Sequence, residues 1–380
     1  MIEVVITGIG LVSALGTSLE ESWQSLIAGK SGIKWHQPFP ELAPLPLGLI
    51  REKPSSLQSL TKTVVDAALQ DAGLVPPLTD CAVVIGSSRS YQASWERLAR
   101  KFYADEDFST EKLENWLDTL PHMNAIATAQ QIGATGAIIA PMAACTTGIW
   151  AIAQAAILIQ TGQYQRAIAG ATEAAITPLT LSGFQQMGAL AQTGAYPFDI
   201  NREGLVLGEG GAVFVLEAKE LAKQRQAKIY GEILGFGLTN DAYHSNKSDT
   251  EGRGAIAAIK QCLERSRLTS TDIDYIHAHG TATQLNDHVE SQVIKKLFPA
   301  KVAISSTKGS TGHTLGASGA LGVAFSLLAK ERKILPPCVG LRTSEFDLNI
   351  VNTAHHSHIQ RVLCLSFGFG GQNTAIALGN

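Results

Sequence analysis

The chain has 380 residues, with 30 Lys and Arg against 33 Asp and Glu, a formal net charge of −3. That near balance supplies no basic field to hold a polyanion, which excludes nucleic acid as a main partner. Apolar residues make up 45% and charged residues 17%, with 36 glycines, a composition that excludes intrinsic disorder and suits a buried core.

In chain order, Val4–Thr7 reads as a first strand; it lacks the basic flank of a secretory signal, and its apolar run stops after a few residues. Ser18-Leu19-Glu20-Glu21 is a capping box that opens a helix stopping near Gly29, and Gly73 ends a helix running through Val64 to Ala72. Ala82–Ile85 is a second strand. A small-residue turn, Ala143-Ala144-Cys145-Thr146-Thr147-Gly148, then leads into Ile149–Ile159. That segment is broken by Gln154 and falls short of the ~20 residues that cross a bilayer, so no membrane span is expected. Apolar on nearly every face, it is expected to be enclosed by protein at the centre of the molecule.

Further strands follow at Ala167–Ala169, Ala212–Leu216, Tyr275–His277, Val302–Ile304 and Val362–Leu365. Several are apolar on successive residues, as strands covered on both faces require, so the fold is α/β with buried sheets. A second small-residue turn, Gly309-Ser310-Thr311-Gly312-His313, again precedes an Ala-rich helix, which suggests a duplicated fold. The polar stretch Ala222–Gln226 marks the change of half, giving 1–225 and 226–380. The five cysteines, at 81, 145, 262, 338 and 364, are odd in number, scattered and without C-x-x-C. This argues against a disulfide framework or structural zinc and fits a reducing cytoplasm.

Cys145 is the candidate nucleophile, since a turn entering a helix N-terminus favours a thiolate. The other four cysteines read as small buried hydrophobes. His277 and His279 fall on the same side of a strand end, which fits either an H-x-H metal pair or two hydrogen-bonded core histidines. Lys308 precedes Gly309, whereas a Walker A lysine follows its final Gly, and Ser13 stands where a dinucleotide fingerprint needs its third Gly. No nucleotide cofactor is therefore expected. His355-His356-Ser357-His358 reads as a solvated loop. Ser366-Phe367-Gly368-Phe369-Gly370-Gly371 sets two aromatics among glycines after a strand, where backbone can approach a ligand and a Phe can swing.

A-A-C-T-T-G, A-H-G-T-x-T, S-T-K-G-x-T-G-H and S-F-G-F-G-G, in this order, resemble the β-ketoacyl-acyl carrier protein synthases of the elongating Cys-His-His type, within the thiolase superfamily. The resemblance covers nearly the whole chain. It implies a thiolase-like duplicated α/β fold with two mixed five-stranded sheets in α-β-α-β-α layers. It implies decarboxylative Claisen condensation, with acyl carrier protein as partner, a homodimer, and neither metal nor cofactor. Cys145 would carry the acyl group, and His279 and His313 would stabilise the malonyl enolate. Lys308 would order the site, the Cys145 and Phe369 amides would form the oxyanion hole, and Thr281 and Thr283 would bind pantetheine. Asp287 and Glu290 would orient the lysine and its loop.

Several positions depart from the family pattern. Gly322 stands where the family usually has the Glu that partners the lysine, so Asp287 or Glu290 is expected to hold Lys308 instead. The stretch from Arg51 to Leu74 lacks a basic loop, the segment from Ala191 to Tyr196 is shortened, and Tyr196 precedes Pro-Phe-Asp where an Arg is usual. Gln284 and Leu365 replace a usual Pro and Asn. Two other readings compete: a non-catalytic partner subunit like the chain-length factors of polyketide systems, and a metal hydrolase using His277 and His279.

Overall fold

The computed structural model describes residues 2–104, 116–246 and 249–380. The strands are β1 (Val4–Ser13), β2 (Lys34–His36), β3 (Leu45–Leu47), β4 (Cys81–Gly86), β5 (Ile138–Ile139), β6 (Arg166–Glu173) and β7 (Gly210–Ala218). They continue with β8 (Gly231–Asn240), β9 (Tyr275–His277), β10 (Ala303–Ser305), β11 (Ile334–Leu335), β12 (His355–His356), β13 (Val362–Gly368) and β14 (Gln372–Gly379). Every residue of β1, β4 and β7 is buried, which is why these strands read as unbroken apolar runs.

Ten strands lie in one hydrogen-bonded order, β10-β9-β13-β14-β8-β1-β7-β6-β4-β5. The join between β8 and β1 is narrow, with Val5 opposite Glu232 and Ile6 opposite Gly231. On either side of it stand five strands with one repeated plan. In β5-β4-β6-β7-β1 the first two pairings are parallel and the last two antiparallel. In β10-β9-β13-β14-β8 the same succession recurs. The thiolase-like pair of mixed five-stranded sheets is thus present, its inner edges touching.

Between the sheets run two helices, Thr147–Gln160 and Ser318–Arg332. They approach so closely that a Cβ on Gly148 would meet the backbone nitrogen of Ala320 at 2.6 Å. Leu57–Asp71 and Met123–Ile132 cover the outer face of one sheet, and Arg253–Ser266 and Gln284–Leu297 the outer face of the other. The small-residue contact between the inner helices brings the two small-residue turns, each just before its helix, to a common place.

Three local expectations need correction. The helix Thr147–Gln160 is not enclosed on all sides: Ile157 is 40% exposed, and Trp150 and Gln154 are only partly covered. Instead, Ser318–Arg332 is the enclosed helix, buried at every residue from Ser318 to Lys330. Only half of the capping box forms: Ser18 Oγ accepts from the Glu21 amide, while the Glu21 carboxylate accepts from Thr17. Near the expected change of half, Lys219–Gln224 is a helix, and the Arg225 guanidinium donates to the buried Glu217 carboxylate and the Ala72 carbonyl. His355 and His356 form the exposed strand β12. Among the described residues no helix is long and apolar enough to cross a membrane.

Candidate active site

Cys145 sits in a tight turn. Ala144 before it has a left-handed backbone, φ 48°. The turn is tied by Thr146 Oγ1 to the Ala143 carbonyl at 2.6 Å and by Thr147 Oγ1 to the Ala144 carbonyl at 2.7 Å. The Thr146 and Thr147 amides donate to the Ala143 and Ala144 carbonyls, and burial opposes the thiolate that the helix entrance favours. Burial pushes the Cys145 thiol up to about 11, and the opposing charge of Lys308 does not reverse this. Burial thus favours the thiol over the thiolate.

His279 follows β9, where Gly280 at φ 39° turns the chain against Ser306. This turn is held by carboxylates. Glu290 accepts from the His279 and Gly280 amides, both at 2.7 Å, and Asp287 accepts from the Phe198 amide at 2.8 Å and the Ala282 amide at 3.2 Å. Asp287 and Glu290 thus orient the loop but do not replace a lysine partner; their charges reach Lys308 only through space. Lys308 donates to the His279 carbonyl, and its Nζ lies 3.4 Å from His279 Nδ1. A carbonyl and not a carboxylate is its acceptor, which corrects the expectation. Burial lowers the lysine's pKa and raises that of Glu290.

The contact with Lys308 decides the tautomer of His279. An ammonium has only protons to give, so Nδ1 accepts and Nε2 carries the ring hydrogen. His313, in the other small-residue turn, is anchored by its amide on the Val206 carbonyl at 2.6 Å, and its Nδ1 meets Ser318 Oγ at 2.8 Å. Its ring centroid is 5.4 Å from that of His279, at 81°. Burial, aided by the charge of Lys308, holds both imidazoles well below their ordinary pKa, so both are neutral.

Cys145, His279 and His313 line one cavity of about 320 Å³, whose wall also includes Thr281, Thr283 and Phe369. Thr281 and Thr283 join their hydroxyls at 2.9 Å. Phe369 stands at the tip of the β13–β14 hairpin, 38% exposed and stacked on Phe184 with centroids 6.0 Å apart. Gly370 and Gly371 beside it have φ 79° and 75°, a backbone that glycine adopts freely, and hydrogen bonds hold them there: the Gly370 amide donates to the Ser245 carbonyl and the Gly371 carbonyl accepts from the Asp241 amide, both at 2.8 Å. The hairpin also presses Gly368 against Cys145, so that a Cβ there would lie 3.0 Å from the Cys145 nitrogen, and Ser366 Oγ donates to the Cys145 carbonyl.

His277 does not join His279 as a metal pair. Its Nε2 lies 3.2 Å from Thr307 Oγ1, its Nδ1 3.8 Å from Cys364 Sγ, and the second nitrogen contact of the would-be pair, His279 Nδ1, belongs to Lys308. A Cβ on Gly322 would meet the His277 ring and Cys364 Sγ, each at 2.8 Å. The ring thus fills the space that a longer side chain at 322 would need. Sequence reasoning missed this filling, and it missed Ser318 and Phe184; the serine five residues after His313 was a signal only for a helix known to start there.

Comparison with known proteins agrees with this arrangement. Residues 50–222 match the N-terminal domain of β-ketoacyl synthases, and residues 230–342 match the C-terminal domain. The chain is 36% identical over 408 residues to 3-oxoacyl-[acyl-carrier-protein] synthase 2 of Coxiella burnetii, covering 99% of this chain and 98% of that protein. It is 31% identical over 412 residues to the tetracenomycin polyketide synthase ketoacyl synthase alpha subunit of Streptomyces glaucescens, covering 99% and 96%. Among solved structures, a chain from a type II polyketide acyl-carrier protein in complex with its ketosynthase, bound to the hexaketide, superposes with TM-score 0.93 at 27% identity, covering 100% and 99%. A β-ketoacyl synthase from Burkholderia phymatum superposes with TM-score 0.88 at 27% identity over the full length of both chains. With both domains matched and full-length relatives above 30% identity, this chain belongs to the β-ketoacyl synthase family.

Proposed function

We propose that the protein condenses an acyl thioester with malonyl-acyl carrier protein, releasing CO2 and giving 3-oxoacyl-acyl carrier protein, in fatty acid or polyketide-like chain elongation. The observation that carries this reading is the single cavity shared by a thiol and two neutral imidazoles. In the first half-reaction the Cys145 thiol attacks the acyl thioester and its proton passes to the departing pantetheine sulfur. His313 relays that proton when its Nδ1–H points at Ser318, because Nε2 then offers a lone pair.

In the second half-reaction malonyl thioester loses CO2, and the electron pair of the broken C–C bond becomes an enolate. His279 donates Nε2–H to the enolate oxygen. The Ser318 hydroxyl can also donate to His313 Nδ1, and that tautomer supplies a second Nε2–H. Neutral donors suit this step, since a proton already bound to imidazolium would be handed to the carbanion. The carbanion attacks the acyl carbonyl on Cys145, with the Cys145 and Phe369 amides as the assigned oxyanion donors, and the sulfur leaves with the electron pair and takes one proton from solvent water, which balances the loss of the malonyl carboxylate as CO2. Lys308 acts by holding His279 in the required tautomer. Thr281 and Thr283, at the cavity wall, are assigned to pantetheine.

Acyl carrier protein as partner is supported by the complex of the polyketide relative. A homodimer is supported by the exposed Ile138 on edge strand β5 and by Ile157, exposed on the helix Thr147–Gln160. The repeated strand plan supports two thiolase-like halves, 1–225 and 226–380. A cytoplasmic location is supported by five free, buried cysteines. The test is incubation with malonyl-acyl carrier protein and acyl carrier proteins of several chain lengths, with products identified by mass. A 3-oxoacyl product extended by two carbons is expected, and no product at any length would favour the non-catalytic partner subunit.

A further inference from the structure

His277 is buried at the end of β9 and takes no part in the chemistry above. Each ring nitrogen has a polar neighbour. Nδ1 lies 3.8 Å from Cys364 Sγ, which in turn lies 3.9 Å from the Gly319 carbonyl. Nε2 lies 3.2 Å from Thr307 Oγ1, and because a hydroxyl both donates and accepts, either neutral tautomer bonds to it. Burial and the charge of Lys308 keep the ring neutral.

Thr307 is the N-cap residue of the one-turn helix Lys308–Thr311, and its side chain makes no capping bond to that turn. Its hydroxyl is spent on His277 instead. The lysine turn is therefore tied by side chains to β9 and the loop after it at three points: Thr307 to His277, Lys308 to the His279 carbonyl, and Ser306 Oγ to the Gly280 carbonyl at 2.8 Å. Gly322 makes room for the first tie, since any side chain there would collide with the ring. A neutral imidazole holds Thr307 without pairing with the ammonium, which leaves Lys308 to turn to the His279 carbonyl and Nδ1.

We propose that His277, seated against Gly322, is a positioning residue that holds the Thr307–Lys308 turn so that Lys308 keeps His279 with its Nε2–H toward the cavity. This rests on the decarboxylating role proposed for the site. Its consequence falls on one half-reaction: loss of the tie frees Lys308 from His279 and weakens enolate stabilisation, while acylation of Cys145 is spared.

Three variants test it in the full-length protein. His277→Leu removes both ring hydrogen bonds at similar volume, His277→Gln restores a donor and an acceptor, and Thr307→Val removes the hydroxyl without opening a void. Malonyl-carrier decarboxylation and Cys145 acylation are measured separately. His277→Leu and Thr307→Val should slow decarboxylation about tenfold or more with acylation within about twofold of wild type, and His277→Gln should recover most of the loss. A folded His277→Leu that decarboxylates within about twofold of wild type, or that slows both steps equally, overturns the proposal. If His277→Leu does not fold, Thr307→Val is judged by the same thresholds. A crystal structure of Thr307→Val reads the positioning without turnover: Lys308 should leave the His279 carbonyl, and an unmoved lysine overturns the proposal. A wild-type protein that does not decarboxylate malonyl-carrier would instead overturn the functional reading, with the crystallographic result still deciding the role of His277.

Discussion

Replacing Gly322 with alanine adds one methyl group in the middle of the buried helix Ser318–Arg332, at 2.8 Å from three atoms: His277 Nδ1, His277 Cε1 and Cys364 Sγ. Helix propensity favours alanine by about 1 kcal/mol. Overpacking opposes it by about 1–3 kcal/mol, because the ring is pinned between Thr307 and Cys364 and cannot simply step aside. The net is a destabilisation of roughly 0–2 kcal/mol, and at ~2 cal/mol/K of unfolding entropy per residue each kcal/mol moves the melting point of a chain this long by only about 1 °C. The informative assay is therefore chemical. Malonyl-carrier decarboxylation should fall about fivefold or more in Gly322→Ala as the displaced ring loses Thr307. Gly322→Glu should be worse, since it adds a buried carboxylate as well as the collision. The double variant His277→Ala with Gly322→Glu should exceed Gly322→Glu alone, because the vacated space admits the carboxylate near Lys308. The reasoning is refuted if Gly322→Ala gains the full helix-propensity stabilisation and decarboxylates like wild type.

Cys145→Ser should abolish acyl-enzyme formation and alkylation together, because an alcohol is a far weaker nucleophile than a thiol here; normal acylation by the variant would mean that another residue is the nucleophile. His313→Ala should lower decarboxylation roughly a hundredfold, as loss of one oxyanion donor does, while slowing acylation less; equal slowing of both would deny it a role on the enolate. With its pKa near 11, Cys145 should be alkylated at a rate that still climbs with pH beyond 9, and a plateau near pH 8 would show that the resting site holds a thiolate. His277 is depressed to about 3, so below the unfolded value of ~6.5 the unfolded chain binds a proton that the folded chain refuses. Wild type should accordingly lose stability relative to His277→Gln by ~1.4 kcal/mol per pH unit between about pH 6 and 4 in denaturant titrations, and a pH-independent difference would contradict the neutral ring.

Much of the site was legible because its parts are local. The turn around Cys145, the strand end at His279 and the turn holding Lys308 and His313 are each a short stretch whose residue types state the chemistry. What lay beyond reach depended on residues far apart in the chain. The acceptor of Lys308 is the backbone of residue 279, and carbonyls carry no sequence signature. Gly322 read as a missing carboxylate, whereas its space is filled by a ring 45 positions earlier, at His277. The enclosed helix Ser318–Arg332 was hidden for a related reason: Gly, Ala and Ser dominate its first turns, and both halves of the molecule bury it.

From sequence alone came the α/β alternation, the strands buried on both faces, the duplicated small-residue turns and the candidate residues Cys145, His279, Lys308 and His313. These follow from patterns within a few residues, where periodicity and turn chemistry are set by the backbone. Tertiary structure alone decided the burial of the nucleophile, the tautomer of His279 and the filling behind Lys308. Each is settled by packing or by a partner brought in from elsewhere in the chain: Cys145 favours the thiol because it is dry, His279 carries its hydrogen on Nε2 because Lys308 stands at Nδ1, and His277 is neutral because it is dry and faces the ammonium.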